Sequence, residues 1–141
     1  MPARLMLVDD SATFLNLLTR FLQQEGAEDI EVVGTAMRGS EAIVKASVLH
    51  PEIVVLDLNM PDLSGIEALP FIRQLLPDSA IIALSLLDAP TYRQTTLDAG
   101  ADAFVSKTNL EKDLLPAIRR LAAAGARAAA GSGAGTGEPV R

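Results

Sequence analysis

Five polar side chains stand at the ends of short apolar runs, where they could carry chemistry. They are Asp9, Asp10, Asp57, Ser85 and Lys107. Continuous apolar runs of this length are typical of buried strands, and ligands of open α/β sheets bind outside the carboxyl ends of the strands. We therefore expect these five side chains to meet at one edge of a sheet and to form a polar site there.

The three carboxylates of this group indicate a metal site. Two like charges about 4 Å apart repel each other by about 4 kcal/mol at an effective dielectric constant near 20, and a divalent cation would relieve this repulsion. Mg²⁺ suits a site of few carboxylates, waters and a phosphate. Lys107 would then offer a positive charge to an anionic group beside the metal, and Ser85 a hydroxyl donor. The set is typical of phosphoryl transfer to a carboxylate nucleophile.

A β-α alternation predicts the fold that positions these residues. The apolar runs cover residues 5–8, 30–33, 53–56, 80–84 and 103–105. Segments between them place apolar residues at i, i+3, i+4 and i+7, as amphipathic helices do. Five such β-α units predict an open parallel sheet with helices on both faces.

Two of the predicted helices contain an unfavourable proline, and a third has a weak apolar face. Pro70 and Pro116 lie past the first turn of the third and fifth helices, where a proline costs about 3 kcal/mol or kinks the helix. The fourth helix, over residues 90–100, has a thin apolar stripe and two adjacent β-branched threonines. We expect it to be the least stable helix and a moving part.

Composition excludes several classes of function. A chain of 141 residues is the length of one domain, and its formal net charge of −6 opposes general binding to nucleic acid or to an anionic membrane. No apolar stretch approaches the ~20 residues of a membrane span, and the first residues show no secretory signal. The chain has no cysteine, which excludes disulfides and thiolate metal sites and fits a cytoplasmic protein.

The last part of the chain differs from the rest in composition. Five of the ten glycines lie between positions 125 and 137, mostly among alanines. Such a segment has little to bury. We therefore predict a folded domain over residues 1–121 and a flexible tail or linker over residues 122–141.

Four motifs resemble those of a known family. They are Leu7-Val8-Asp9-Asp10-Ser11, Asp57-Leu58-Asn59-Met60-Pro61-Asp62-Leu63-Ser64-Gly65, Ala83-Leu84-Ser85 and Gly100-Ala101-Asp102-Ala103-Phe104-Val105-Ser106-Lys107. In this order, at predicted strand ends, they are similar to the receiver domain of bacterial two-component response regulators, the CheY-like family. The resemblance spans about residues 4–121. It implies a flavodoxin-like (βα)5 α/β fold with a parallel sheet of strand order 2-1-3-4-5.

The resemblance also implies a chemical role for each site residue. Asp57 would be the phosphoacceptor, and Lys107 would pair with the phosphoryl oxygens. Asp10 and Asp57 would bind Mg²⁺ directly, Asp9 mostly through water, and the backbone carbonyl of Asn59 would complete the protein ligands. Such a protein is a signalling switch rather than an enzyme, since it promotes only its own phosphorylation and dephosphorylation.

In the same family, phosphorylation changes a binding surface. Ser85 would move onto the new phosphate, and Phe104 would turn inward into the space that it leaves. The phosphoryl group adds a charge of about −2 that needs local donors, and recruiting them shifts the loop before the fourth helix. The output face, which could also form a homodimer, would comprise the fourth helix, fifth strand and fifth helix. The implied partners are a sensor histidine kinase or histidine phosphotransfer protein and an unidentified downstream protein.

The sequence departs from the common family pattern at three positions. Thr108 stands where most relatives have proline, so no cis-proline is expected beside Lys107. Leu86 stands where a small residue is usual, and Leu87 where many relatives carry a polar side chain that orients a hydrolytic water. The two leucines predict slow loss of the phosphoryl group.

Three other functions are left open. The chain could be the receiver fragment of a helix-turn-helix transcription regulator, although its 141 residues contain no basic recognition helix. It could bind partners without being phosphorylated. A haloacid dehalogenase-type phosphatase also uses an aspartate nucleophile, but with a second acid two residues later, where this chain has Ser11 or Ala12.

Overall fold

A computed structural model of the chain describes residues 2–60, 65–86 and 89–131. Within them, five strands alternate with five α-helices, as the sequence predicts. The strands are β1 (Ala3–Val8), β2 (Ile30–Ala36), β3 (Ile53–Asp57), β4 (Ala80–Ser85) and β5 (Ala103–Ser106). The helices are α1 (Ala12–Glu25), α2 (Gly39–Leu49), α3 (Gly65–Leu75), α4 (Pro90–Asp98) and α5 (Leu110–Gly131), with a short 3₁₀ helix at Lys107–Asn109.

The five strands form one parallel sheet in the order β2-β1-β3-β4-β5, which confirms the predicted flavodoxin-like topology. Alternate residues of each strand face opposite sides, so Leu5 and Leu7 enter one core and Met6 and Val8 the other. Helices α1 and α5 cover the first core, and α2, α3 and α4 cover the second. Continuous apolar strands are required because both faces of the sheet are covered.

The strand register brings the polar residues to one edge of this sheet. Val8 pairs with Leu56, so Asp9, just past the end of β1, lies beside Asp57, the last residue of β3. Asp57 pairs with Leu84, and Ser85 pairs with Ser106 on β5. The residues that follow β1, β3, β4 and β5 therefore share one rim.

Both unfavourable prolines lie inside helices, as the sequence predicts. Pro70 lies in α3 and Pro116 in α5. Neighbouring residues of both helices, including Leu69, Ile72, Leu115 and Ile118, are buried in the two cores. Burial of such side chains is worth about 1.5–3 kcal/mol each, enough to offset one missing backbone hydrogen bond.

Helix α5 extends further than the predicted domain boundary at residue 121. It continues through Gly131, so residues 122–131 are helical where the sequence analysis places the start of a flexible tail. Alanine has the highest helix propensity, and this segment is mostly alanine. The remainder of the predicted tail, residues 132–141, lies outside the described residues.

Arg73, which the sequence analysis did not single out, ties the end of α3 to the start of β5. Its guanidinium donates to the carbonyl oxygens of Gly100 (2.9 Å) and Ser79 (2.6 Å) and to the carboxylate of Asp102 (2.5 Å). The same oxygen of Asp102 accepts the N–H of Ile81 on β4. This network fixes the strand that leads to Lys107.

No helix among the described residues is both long enough and apolar enough to cross a membrane.

Candidate functional site

Three carboxylates meet at the carboxyl edge of the sheet. One oxygen from each of Asp9, Asp10 and Asp57 lies within 4.8 Å of the others. Asp9 and Asp57 are buried, and Asp10 is exposed. The structure thus brings together the three acids that the sequence places at strand ends.

Asp9 is held by both of its carboxylate oxygens. Oδ1 accepts the backbone N–H of Ser11 at 2.9 Å, and Oδ2 accepts a hydrogen bond from Nζ of Lys107 at 3.0 Å. Ser11 in turn is the N-cap of α1, since its hydroxyl oxygen accepts the N–H of Phe14 at 3.1 Å. The start of α1 therefore fixes the position of Asp9.

Asp57 is a buried carboxylate that is only partly compensated. Its Oδ1 accepts the N–H of Asn59 at 3.1 Å and lies 3.2 Å from Nζ of Lys107. Among the described residues, no hydrogen bond engages Oδ2. Burial raises the pKa of Asp57, and the charge of Asp9 raises it further, against the opposing effects of the Asn59 N–H and Lys107.

Lys107 bridges the two buried acids. Burial alone would lower the pKa of its ammonium, but the hydrogen bond to Asp9 and the charge of Asp57 outweigh burial and raise it. The ammonium also lies 4.7 Å from the centroid of the Phe14 ring. Phe14 is one of the apolar residues of α1, and apolar periodicity alone does not indicate that its ring contacts Lys107.

The donor set fits a hard divalent cation. Three carboxylates within reach of one ion provide oxygen ligands, which Mg²⁺ prefers. Asp10 is exposed, so the cluster is open to solvent and to a bound phosphoryl group. One lysine faces three acids here, which leaves the cluster net negative.

Comparison with known proteins identifies the family to which this architecture belongs. The sequence model for the response regulator receiver domain matches residues 5–119. The chain belongs to this family. The resemblance read from the four motifs is thus confirmed, and the receiver is a member of a signalling family of switches rather than a classical enzyme.

Individual relatives agree with this assignment. Response regulator protein VraR of Staphylococcus aureus is 36% identical over 122 residues, which cover 85% of this chain and 56% of VraR. The receiver therefore spans little more than half the length of the curated relatives that it matches. The response regulator domain of Thermotoga maritima CheB has 31% identity and a TM-score of 0.78, with 86% of this chain and 96% of that chain covered. A LuxR-family response regulator from Aurantimonas sp. SI85-9A1 has 31% identity and a TM-score of 0.80, with 87% of each chain covered.

The two predicted switch residues lie on the neighbouring strands β4 and β5. Ser85 is fully buried at the end of β4. Phe104 on β5 is also buried, with Tyr92 packed edge to face against its ring at 6.1 Å and the Arg93 guanidinium 4.6 Å from its centroid. Phe104 is thus buried against α4 in this structure, and its turn into the space left by Ser85 after phosphorylation stays a prediction.

Leu86 and Thr108, two of the positions that depart from the family pattern, lie just after β4 and β5. Leu86 is 66% exposed directly after Ser85, whereas Leu87 lies outside the described residues. Thr108 lies in the 3₁₀ helix, where its N–H donates to the hydroxyl oxygen of Ser106 at 3.3 Å. A side-chain cap therefore organises the chain at the position where most relatives have proline.

Proposed function

We propose that this receiver accepts a phosphoryl group on Asp57 from the phosphohistidine of a sensor histidine kinase or a histidine phosphotransfer protein. One observation carries the proposal. A buried carboxylate, Asp57, shares one lysine with Asp9 and lies in a cluster of three acids that is open to solvent at Asp10. Such a site combines a nucleophile, a metal-binding set and a cation for the phosphoryl oxygens.

Each residue of the site has its own role in the proposed reaction. An oxygen of Asp57 forms the bond to phosphorus as the bond from the donor's imidazole nitrogen breaks, and the leaving imidazole takes a proton from solvent. When bound, Mg²⁺ would be held by Asp9, Asp10, Asp57 and the carbonyl of Asn59, and would neutralise charge on the phosphoryl oxygens. Lys107 exchanges its contact with Asp9 for a phosphoryl oxygen.

The proposed output follows from the elements next to Asp57. Ser85 lies at the end of the neighbouring strand β4 and supplies a hydroxyl to the phosphoryl group, which biases the loop before α4. Helix α4 has one buried residue, Thr96, and no side-chain N-cap, and Tyr92 and Arg93 join it to Phe104 on β5. A shift of α4 would therefore be transmitted to β5 through Phe104. The face formed by α4, β5 and α5 would then bind a downstream protein or a second copy of the chain, in the cytoplasm.

The proposal is tested by incubating the 141-residue chain with Mg²⁺ and acetyl phosphate and measuring its intact mass. The wild type is expected to gain one phosphoryl group, and Asp57→Asn none, because an amide is not a nucleophile for this transfer. Asp78→Asn, an exposed aspartate that precedes β4, serves as the matched control and should gain mass like the wild type. No gain by the wild type would favour a binding module that works without phosphorylation, and full gain by Asp57→Asn would exclude Asp57 as the acceptor.

A second candidate function is that of a receiver attached to a DNA-binding output domain. The match to VraR covers only 56% of that protein, and one structural relative is named as a LuxR-family regulator. The reading frame that encodes residue 141 tests this alternative. Codons that continue into a helix-turn-helix domain would make this receiver the input part of a transcription regulator.

We expect the phosphoryl group on Asp57 to decay slowly because Leu86 shields it from water. Leu86→Ala should raise the dephosphorylation rate constant about three- to tenfold, since restoring access for water changes the barrier by about 1 kcal/mol. The measurement follows the loss of the mass increase after the donor is removed. Val48→Ala, a truncation of a similarly exposed apolar residue on α2, should leave the rate unchanged. Rapid decay in the wild type, or no acceleration by Leu86→Ala, would contradict the shielding role.

A further inference from the structure

The ring of Phe14 is the third neighbour of the Lys107 ammonium. Nζ lies 3.0 Å from Oδ2 of Asp9, 3.2 Å from Oδ1 of Asp57 and 4.7 Å from the Phe14 centroid. The Lys107 side chain is only 16% exposed, so the ring covers one side of a cation that has little water around it. A cation within about 6 Å of a ring centroid is attracted by the ring quadrupole, most strongly where water is excluded.

Phe14 is held in this place by the same residues that hold the acid cluster. Asp9 accepts the N–H of Ser11, the Ser11 hydroxyl accepts the N–H of Phe14, and the Phe14 ring contacts Lys107. Lys107 then donates a hydrogen bond to Asp9, so that the four contacts form a closed cycle. The N-cap of α1 therefore anchors the backbone of Phe14 relative to Asp9, and the Phe14 ring reaches Lys107 from that position.

The aromatic contact differs from the two ionic ones in what happens during phosphotransfer. Asp9 and Asp57 are the groups that a metal ion and a phosphoryl group would engage, so their contacts with Lys107 change during the reaction. A phenyl ring neither ionises nor binds Mg²⁺, so neither the metal nor the phosphoryl group competes with the ammonium for it. We propose that Phe14 is a positioning residue that keeps the Lys107 ammonium beside Asp57 while the carboxylates change partners. This inference rests on the proposed function.

Phe21 provides the comparison that separates positioning from packing. It lies two turns further along α1, is half-buried like Phe14, and packs against the same core. No contact joins it to Lys107 among the residues that the structure describes. Truncating Phe21 therefore removes similar apolar surface from the same helix face and leaves the lysine in place.

The test measures the rate constant for phosphorylation of the 141-residue chain by acetyl phosphate at saturating Mg²⁺. Phe14→Leu is expected to lower it about five- to thirtyfold, the range of a partly buried cation–π contact. Phe14→Tyr retains the ring, and both it and Phe21→Leu should stay within about twofold of the wild type. Equal rates for Phe14→Leu and Phe21→Leu, or a Phe14→Tyr variant as slow as Phe14→Leu, would overturn the inference.

A measurement on the wild type keeps the inference testable if Phe14→Leu does not fold. The Hε protons of Lys107 are expected to resonate upfield of those of Lys112, because they lie over an aromatic ring, and to stay upfield when Mg²⁺ is added. Equal shifts for the two lysines, or loss of the difference in Mg²⁺, would overturn the inference. Failure of the proposed function and failure of this inference give different results. A wild type that takes up no phosphate would exclude both. Normal uptake by the wild type with equal rates for the variants would exclude only the role of Phe14.

Discussion

Replacing Lys107 by methionine is expected to lower the free energy of unfolding by about 3–5 kcal/mol at neutral pH without metal, the usual cost of breaking a buried ion pair from one side. The ammonium lies 3.0 Å from Asp9 and 3.2 Å from Asp57, and both acids are almost fully buried. Methionine retains most of the apolar stem, so the loss reports mainly on the charge. Urea unfolding of the two proteins, followed by circular dichroism in EDTA, measures the difference.

The matched control for this prediction is Lys112→Met. Lys112 lies on the exposed face of α5, where a substitution of this kind changes stability by about 0.5 kcal/mol or less. Added Mg²⁺ should stabilise Lys107→Met more than the wild type, because the cluster has lost its only competing cation among the described residues. If Lys107→Met were as stable as Lys112→Met in EDTA, Lys107 would not be compensating the buried acids.

The fold could be predicted because the alternation of apolar runs with helical segments, and the polar residues at the ends of the runs, are local properties of the sequence. Continuous apolar runs predict strands covered on both faces, and the polar residues that follow four of the five runs predict the edge at which the site lies. Asp57 and Ser85 lie at the ends of β3 and β4 as this logic requires. The strand order came from the family resemblance, since a β-α alternation alone is compatible with several orders.

The parts that could not be predicted are contacts between residues far apart in sequence. Periodicity shows that Arg73 and Phe14 lie on helices, but it does not show which strand end each side chain meets. Arg73 pairs with Asp102, 29 residues away, and Phe14 meets Lys107, which follows β5 near the far end of the sequence. Helix α5 continues past the predicted boundary at residue 121 because the alanines between the glycines at 125 and 131 favour a helix.

The unphosphorylated receiver is expected to become more stable when Asp57 is replaced by asparagine. Burial and the charge of Asp9 raise the pKa of Asp57, so the folded chain binds this proton more tightly than the unfolded chain does. Stability therefore falls as the pH rises from the ordinary pKa of the group, 3.8, through the raised value, and it stays lower at neutral pH. Asparagine does not ionise and still accepts the Asn59 N–H, so the variant should gain about 1–3 kcal/mol at pH 7 in EDTA.

The pH dependence of this difference separates ionisation from packing. The advantage of Asp57→Asn should disappear below pH 3.8, where the aspartate is protonated in both the folded and the unfolded chain. A packing effect would persist at every pH, and Asp78→Asn should show little difference anywhere. Saturating Mg²⁺ should reverse the order at pH 7, because the metal stabilises only a folded chain that retains all three acids. If Asp57→Asn were less stable than the wild type at pH 7 in EDTA, Lys107 and the Asn59 N–H would already compensate the buried charge in full. The acid cluster would then have no uncompensated charge for a cation to neutralise.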